Sequence, residues 1–382
     1  MNNFYDVLVI GGGVNGCSIA YQCSKRNMKV AVLEKTRVGA EASSAAAGML
    51  GAQAEIKEKS PFFDFARKSR DMFPKLVPEL EEKSGTSVSL IKNGMLKIAD
   101  SETEKNRLLD MLQFQQQEGE QVEWLTNRDI QAIEPSLTGE NFGGLYIRGD
   151  GQVKAAELTK AYARAATFEG CDFYEDTPVL KILQENGRAI GAETPFGPVY
   201  ADEVVLASGA WSNTITSSQE QPLPLIPVKG ECVSLRPART IIQTTMHASD
   251  FYLVPKPGGS IIIGATEREG EMGKKVSAGA VQTLLAKAFR LVPDLQEAEW
   301  ETAWTGVRPQ TFDGKPYLGQ SQVKGLWIAA GHYRNGILLS ALTGTWMADL
   351  IEGKANVPEW ISAFSPQRTM NEKEDTPVDI NN

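Results

Sequence analysis

Histidine is nearly missing from this chain of 382 residues: His247 and His332 are the only two. That scarcity excludes a histidine-rich metal centre and most histidine-based hydrolase triads. Cysteine is also sparse. Cys17, Cys23, Cys171 and Cys232 are scattered, with no C-x-x-C pair and no neighbouring histidine, so neither a metal site nor a disulfide framework is indicated. No apolar run reaches the roughly 18 residues that span a bilayer, and no basic amphipathic segment stands out, so no membrane partner is expected. Positive charge is in deficit, with 39 Lys+Arg against 48 Asp+Glu and a net charge of −9. This argues against general nucleic-acid binding, although one local basic pocket remains compatible with it. No basic n-region, apolar h-region and cleavage site precedes the first strand-like residues, so the expectation is a soluble, cytoplasmic chain. The polar end, 366–382, is expected to be disordered.

What is present is concentrated at the start. Phe4-Tyr5-Asp6-Val7-Leu8-Val9-Ile10 is an apolar run of the kind buried in parallel sheets. It leads into Gly11, Gly13 and Gly16, the G-x-G-x-x-G spacing of a strand-to-helix turn. Gly11 permits the tight turn, Gly13 lets backbone N–H groups approach a pyrophosphate, and Gly16 lets the following helix pack closely. Val14 and Asn15 open that helix, whose N-terminus favours an anion. A second apolar strand, Val30–Leu33, ends at Glu34, where a carboxylate accepts from ribose hydroxyls, with Lys35 beside it. The spacing therefore predicts a dinucleotide-binding βαβ unit.

Further along, a small-residue loop, 39–52, either lets backbone approach a ligand or forms a helix-packing seam. Periodicity predicts a helix over 61–83, a hairpin over 87–99, and helices near 101–118 and 127–133. Gly144–Arg148 is predicted as a strand and Ala155–Glu169 as a helix. A small antiparallel meander is expected over 172–201. Asp202–Ser212 reads as a separate parallel strand whose C-terminal end faces a nucleotide. Strands dominate 225–270, a helix follows near 277–291, and the last unit is a strand at 325–332 followed by a helix from Ile337. Nucleotide-type strands thus occur near the start, middle and end, separated by antiparallel stretches. The fold class expected is α/β (α+β): a discontinuous Rossmann-like domain (1–85, 150–222 and 320–365) and an antiparallel-sheet domain (86–149 and 223–319).

Several of these segments together resemble one family: the opening βαβ unit, Ser44–Leu50, Ala207–Ser212, Val307-Arg308-Pro309 with Asp313-Gly314-Lys315-Pro316, and Gly331–Ile337. They resemble the D-amino-acid oxidase superfamily, and within it the bacterial glycine oxidases linked to thiamine biosynthesis. The resemblance implies a glutathione-reductase-type FAD domain and non-covalent FAD, since no cysteine lies beyond Cys232 to attach a flavin. It implies oxidation of glycine, sarcosine or some D-amino acids by hydride transfer from Cα to the flavin. The imine then hydrolyses to a 2-oxo acid and ammonia or an amine, and O2 becomes H2O2. It further implies a homo-oligomer, a tetramer, and a supply of iminoacetate to the enzymes of thiazole synthesis.

For individual residues the resemblance implies that Arg308 and Tyr252 bind the substrate carboxylate, with Arg334 and Met49 close by. A planar guanidinium suits that role because it pairs bidentately with a carboxylate. Gly11, Gly13, Val14, Asn15, Gly16, Glu34, Lys35, Ala42, Ser43, Ala47, Gly48, Met49, Val179, Ser208 and Gly209 are expected to hold the FAD. So are His332, Tyr333, Arg334, Asn335, Gly336, Ile337 and Leu338, the final helix offering its N-terminus to the pyrimidine side of the flavin. The chain departs from the pattern at two places: Glu267 stands where an apolar methionine is usual, and Asp250 near a usual histidine. The rival enzymes are a sarcosine oxidase and a D-amino-acid or glycerol-phosphate dehydrogenase passing electrons to a quinone. The rival from another class is a nucleotide-binding scaffold without turnover.

Overall fold

The computed structural model describes residues 4–54, 56, 58–215, 223–354 and 359–368. The apolar run Phe4–Ile10 becomes the central strand of a parallel sheet. It pairs with Val30–Leu33 on one side and Gly197–Leu206 on the other, and Leu326–Ala330 joins beyond Gly197–Leu206. Side chains alternate along the central strand. Val7 and Val9 face a helical layer made by Val14–Ser24, Pro61–Ser84, Ala155–Phe168 and Gly336–Ile351, whereas Leu8 and Ile10 face the opposite layer with Ile182, Ala189 and Ala192. Both faces of the sheet are covered, which is why its strands read as apolar runs.

The second sheet is mostly antiparallel. Its spine is the long pair Leu225–Arg236 and Glu299–Thr311, extended by Ile261–Gly264, Phe251–Pro255 and Thr245–Ala248. Leu253, Ile263 and Val233 pack against the helix Ala278–Leu291. The cleft described below lies between the C-terminal ends of the parallel strands and this second sheet.

The structure differs from the sequence expectations in five places. The hairpin expected over 87–99 does not form: Met95–Ile98 pairs in parallel with Thr245–Ala248 and antiparallel with Gly144–Ile147. Asp172–Tyr174 leaves the expected meander for the edge of the parallel sheet, beside Val30–Leu33. Gly197–Ala201 and Asp202–Leu206 are one continuous strand, antiparallel to Arg188–Thr194 at its start and parallel to Phe4–Ile10 along its length. The loop 39–52 contains a short helix, Ala42–Ala45, and a two-residue strand, Met49–Leu50, paired with Gly151–Gln152. Finally, Arg368 is packed, pairing with Asp313 at 2.9 Å and lying 3.9 Å from the Tyr317 ring centroid. The rest of the expected tail, 369–382, lies outside the described residues. For Met95–Ile98 and Asp172–Tyr174 the local pattern specified a strand, while its partner came from elsewhere in the chain.

Candidate active site

The glycine turn is built by close backbone approach. Gly11 has φ +109, and a Cβ there would stand 2.6 Å from the Ala207 carbonyl oxygen; a Cβ at Gly16 would collide with the Gly11 carbonyl oxygen. The helix Val14–Ser24 therefore starts tight against the sheet, from an N-cap, Gly13, with no side chain to cap it. Ser43 Oγ accepts from the Val14 N–H at 2.9 Å, and among the described residues Asn15 Oδ1 is buried without a hydrogen-bond partner. Glu34, 8% exposed at the end of the second strand, is aimed by its neighbours. Its Oε2 accepts from the Gly12 N–H at 2.9 Å and its Oε1 from the Thr36 N–H at 2.9 Å. Beside it, Lys35 Nζ lies 3.3 Å from the centroid of the Trp211 ring. Burial lowers the Lys35 pKa against the opposing pull of Glu41.

A further wall of the cleft is formed by the segment 42–49 and the start of the final helix. Trp304 Nε1 donates to the Ala45 carbonyl at 2.9 Å. Lys256 Nζ donates to the Ala47 carbonyl, to Gln152 Oε1 at 2.7 Å and to the Val153 carbonyl at 3.1 Å. Burial, reinforced by nearby Lys154, pushes the Lys256 ammonium down to about 7. The final helix, Gly336–Ile351, also begins without a side-chain cap, at Asn335. Preceding it, Tyr333 is held at φ +46, a left-handed conformation costly for a bulky residue. His332 Nε2 meets Thr343 Oγ1 at 3.1 Å, and burial drops its pKa to about 3, so the imidazole is neutral.

Tyr252, Arg308 and Arg334 converge on the same cleft. Because Arg308 follows the strand-like Trp304–Val307 and precedes Pro309, the sequence predicts for it a rigid turn that sets the side chain. It lies instead inside the strand Glu299–Thr311, opposite Val228, and its guanidinium crosses Gly230 on the neighbouring strand. Its Nη1 donates to the Thr266 carbonyl at 3.3 Å. The Tyr252 hydroxyl is 3.5 Å from Cys232 Sγ. Burial, then the Cys232 thiol, push its pKa well above 10, so the phenol stays protonated. Arg334 Nη1 donates to Glu267 Oε1 at 2.9 Å, whereas Asp250 pairs with Lys287.

The cleft has a volume of about 380 Å³. Of the residues the sequence singled out, Gly16, Asn335 and Leu338 do not line it. Gly16 lies beneath the turn, and Leu338 is buried in the core, its carbonyl accepting from Ser69 Oγ at 2.6 Å. The other residues assigned to FAD or substrate line it, among them Gly11, Glu34, Met49, Val179, Ser208, Gly209, Arg308 and Ile337, whereas Glu267 and Asp250 do not. Sequence reasoning missed Trp211 as a wall residue, although it follows the Ser208-Gly209 turn. Lys256 was also missed; a lysine after the apolar run Tyr252–Pro255 was the only local hint.

A side-chain-free turn, two uncapped helix N-termini, a braced carboxylate at the second strand and an unpartnered buried Asn15 oxygen fit a dinucleotide lying along the cleft. Known proteins agree with that fit. The family model DAO, FAD dependent oxidoreductase, matches residues 6–350. Glycine oxidase of Geobacillus kaustophilus is 45% identical over 357 residues, which is 93% of this chain and 94% of that protein. The crystal structure of glycine oxidase from Geobacillus kaustophilus matches with a TM-score of 0.94 at 44% identity, covering 97% of this chain and 100% of that one. The bifunctional protein ThiO/ThiG of Synechocystis sp. is 34% identical over 96% of this chain but only 54% of its own length. The glycine turn and braced Glu34, together with a family model that spans both sheets, show that this chain belongs to the DAO family of FAD dependent oxidoreductases.

Proposed function

We propose that the protein oxidises glycine and closely related small amines, such as sarcosine and some D-amino acids, to imines that hydrolyse to a 2-oxo acid and ammonia or an amine. The observation that carries this reading is the convergence of Arg308, Tyr252 and Arg334 on the same cleft that the dinucleotide turn lines. Likeness to the glycine oxidase of Geobacillus kaustophilus along most of both chains supports it. In this reading Arg308 takes the substrate carboxylate through two parallel N–H···O bonds, and the protonated Tyr252 hydroxyl adds a third. Met49 forms part of the wall beside them. FAD, when bound, supplies the acceptor for the Cα hydride and passes the electrons to O2, giving H2O2.

The chain's own contribution is orientation and electrostatics. Gly11, Gly13, Val14 and Asn15 hold the pyrophosphate, Glu34 the ribose, and Val179 with Trp211 the adenine end. The backbone of 42–49 and the final helix N-terminus at Gly336 hold the flavin ring. His332 is the one histidine on the cleft among the described residues, and it is neutral and engaged with Thr343. If the substrate amine is neutral in the site, its lone pair assists hydride departure and no side-chain base is required. The same reading divides the chain into an FAD-binding part (1–85, 150–222, 320–365) and a substrate-binding part (86–149, 223–319). It also carries a homotetramer, a cytoplasmic location and a supply of imine for thiazole synthesis. The last is supported by the ThiO/ThiG relative. Among the described residues no helix is long and apolar enough to cross a membrane.

Anaerobic titration of the purified yellow protein with glycine, sarcosine and D-alanine, followed by air, tests the reading. Bleaching by glycine with rapid reoxidation and peroxide is the expected result. Bleaching without rapid reoxidation would make the protein a dehydrogenase, and no bleaching by any amine would overturn the amine-oxidase reading.

A further inference from the structure

Two guanidinium groups line the cleft, and they are held differently. Among the described residues Arg308 has no carboxylate within ion-pair reach, and its guanidinium donates to the Thr266 carbonyl at 3.3 Å while lying across Gly230. Arg334 Nη1 donates to Glu267 Oε1 at 2.9 Å, with 29% and 31% of the two side chains exposed. Thr266 and Glu267 are consecutive, so a single segment reaches both arginines, one through a carbonyl and the other through a carboxylate.

That segment is braced from below. The Thr266 N–H donates to the Glu231 carbonyl at 3.2 Å, and Thr266 Oγ1 accepts from the Glu231 N–H at 2.9 Å while donating to Glu231 Oε2 at 3.1 Å. Glu231 is fully buried, and its carboxylate also accepts from the Ser277 N–H at 2.7 Å and lies 3.3 Å from Arg268 Nε. Glu267 thus stands on an anchored stretch of chain.

Charge decides what this does. Arg308, Arg334 and Glu267 all act on the same tyrosine, Tyr333, so the three stand in one neighbourhood, and these three groups alone sum to about +1 at neutral pH. One substrate carboxylate cancels that charge. A second would bring an unpaired anion into a half-buried place, where its desolvation is not repaid.

Resting on the amine-oxidase reading above, the geometry points to Glu267 as a specificity determinant: by occupying Arg334 it leaves Arg308 as the single open carboxylate anchor, and so selects amines with one carboxylate against amines with two.

The test uses FAD-loaded wild type, Glu267→Gln and Glu267→Met. Two quantities are read: kcat/KM for iminodiacetate relative to glycine, and the affinity for malonate relative to acetate, both unreactive, from perturbation of the flavin absorbance. Both substitutions are expected to raise both ratios by about tenfold or more, equivalent to about 1.4 kcal/mol. Adding Arg334→Met to either is expected to abolish the gain. Unchanged ratios in both variants, or a gain that survives loss of Arg334, would overturn the inference. The malonate-to-acetate ratio decides it even if the wild type oxidises no amine, an outcome that would sink the amine-oxidase reading alone.

Discussion

Tyr252 reaches Cys232 by crossing Gly264. The three residues sit side by side on adjacent strands, Gly264 paired with Tyr252 on one side and with Cys232 on the other. A Cβ at Gly264 would stand 2.5 Å from the Tyr252 ring carbon Cζ and hydroxyl oxygen. Bare backbone is thus what lets the phenol lie across the sheet and point its hydroxyl at the cleft. Gly264→Ala is expected to displace the phenol and raise KM for glycine about tenfold, matching Tyr252→Phe in direction. Steady-state kinetics on both variants check this; a Gly264→Ala protein with wild-type KM would detach Tyr252 from carboxylate binding.

In the proposed reading Arg308 carries the larger share of the same task. With no carboxylate partner of its own among the described residues, it is the cation open to a substrate. Arg308→Ala is expected to raise KM for glycine by about 100-fold, the scale of a lost charge-assisted pair, while FAD stays bound. Arg308→Lys should recover only part of the loss, because an ammonium cannot form the bidentate fork. Kinetics combined with flavin absorbance after gel filtration separate lost substrate binding from lost cofactor.

Lys256 fastens the segment at Ala47 to Gln152 and Val153, and Gln152 Nε2 in turn donates to Thr245 Oγ1 at 3.1 Å and the Pro255 carbonyl at 2.8 Å. Removing the ammonium leaves buried carbonyls unpaired, at about 1–3 kcal/mol for each. Lys256→Met is expected to weaken FAD retention about tenfold and lower Tm by several degrees. Fluorescence titration of the apoprotein with FAD measures the first. Retention equal to wild type would confine Lys256 to packing.

His332 gives the protein an acid-side sensitivity with a defined sign. Its folded pKa is about 3, below the ordinary 6.5 of an unfolded histidine. Above pH 6.5 neither state binds the proton and the group contributes no pH dependence. Between 6.5 and 3 only the unfolded chain binds it, so stability falls as pH falls. Urea unfolding at pH 7 and pH 5 should show wild type losing about 2 kcal/mol more than His332→Leu over that interval. Equal losses would mean that the folded protein accepts the charge.

How much of this was legible in the chain follows from the range of the interactions. The opening βαβ unit was, because an apolar run, a glycine spacing and a carboxylate one strand later are contiguous in sequence, and burial on both sheet faces leaves those residues few alternatives. The helices over 61–84, 102–117 and 278–291 were legible for the same local reason. The 87–99 hairpin was not, because alternation specifies a strand and its faces but not its neighbour; Met95–Ile98 found Thr245–Ala248, far along the chain.

The sequence by itself therefore determined the dinucleotide turn and the family, and it named Arg308, Tyr252 and Arg334 as the candidates for meeting a carboxylate. Only the tertiary structure decided which of those residues stand open. Arg308 and Arg334 carry the same charge in equally suggestive motifs, yet Glu267, 67 residues from Arg334 in sequence, closes on one and leaves the other. Lys256 reaches Ala47 across 209 residues. Coulomb attraction and hydrogen bonding act over a few ångströms of space whatever the separation along the chain, so the partners of buried charges become visible only once the sheets have been laid against each other.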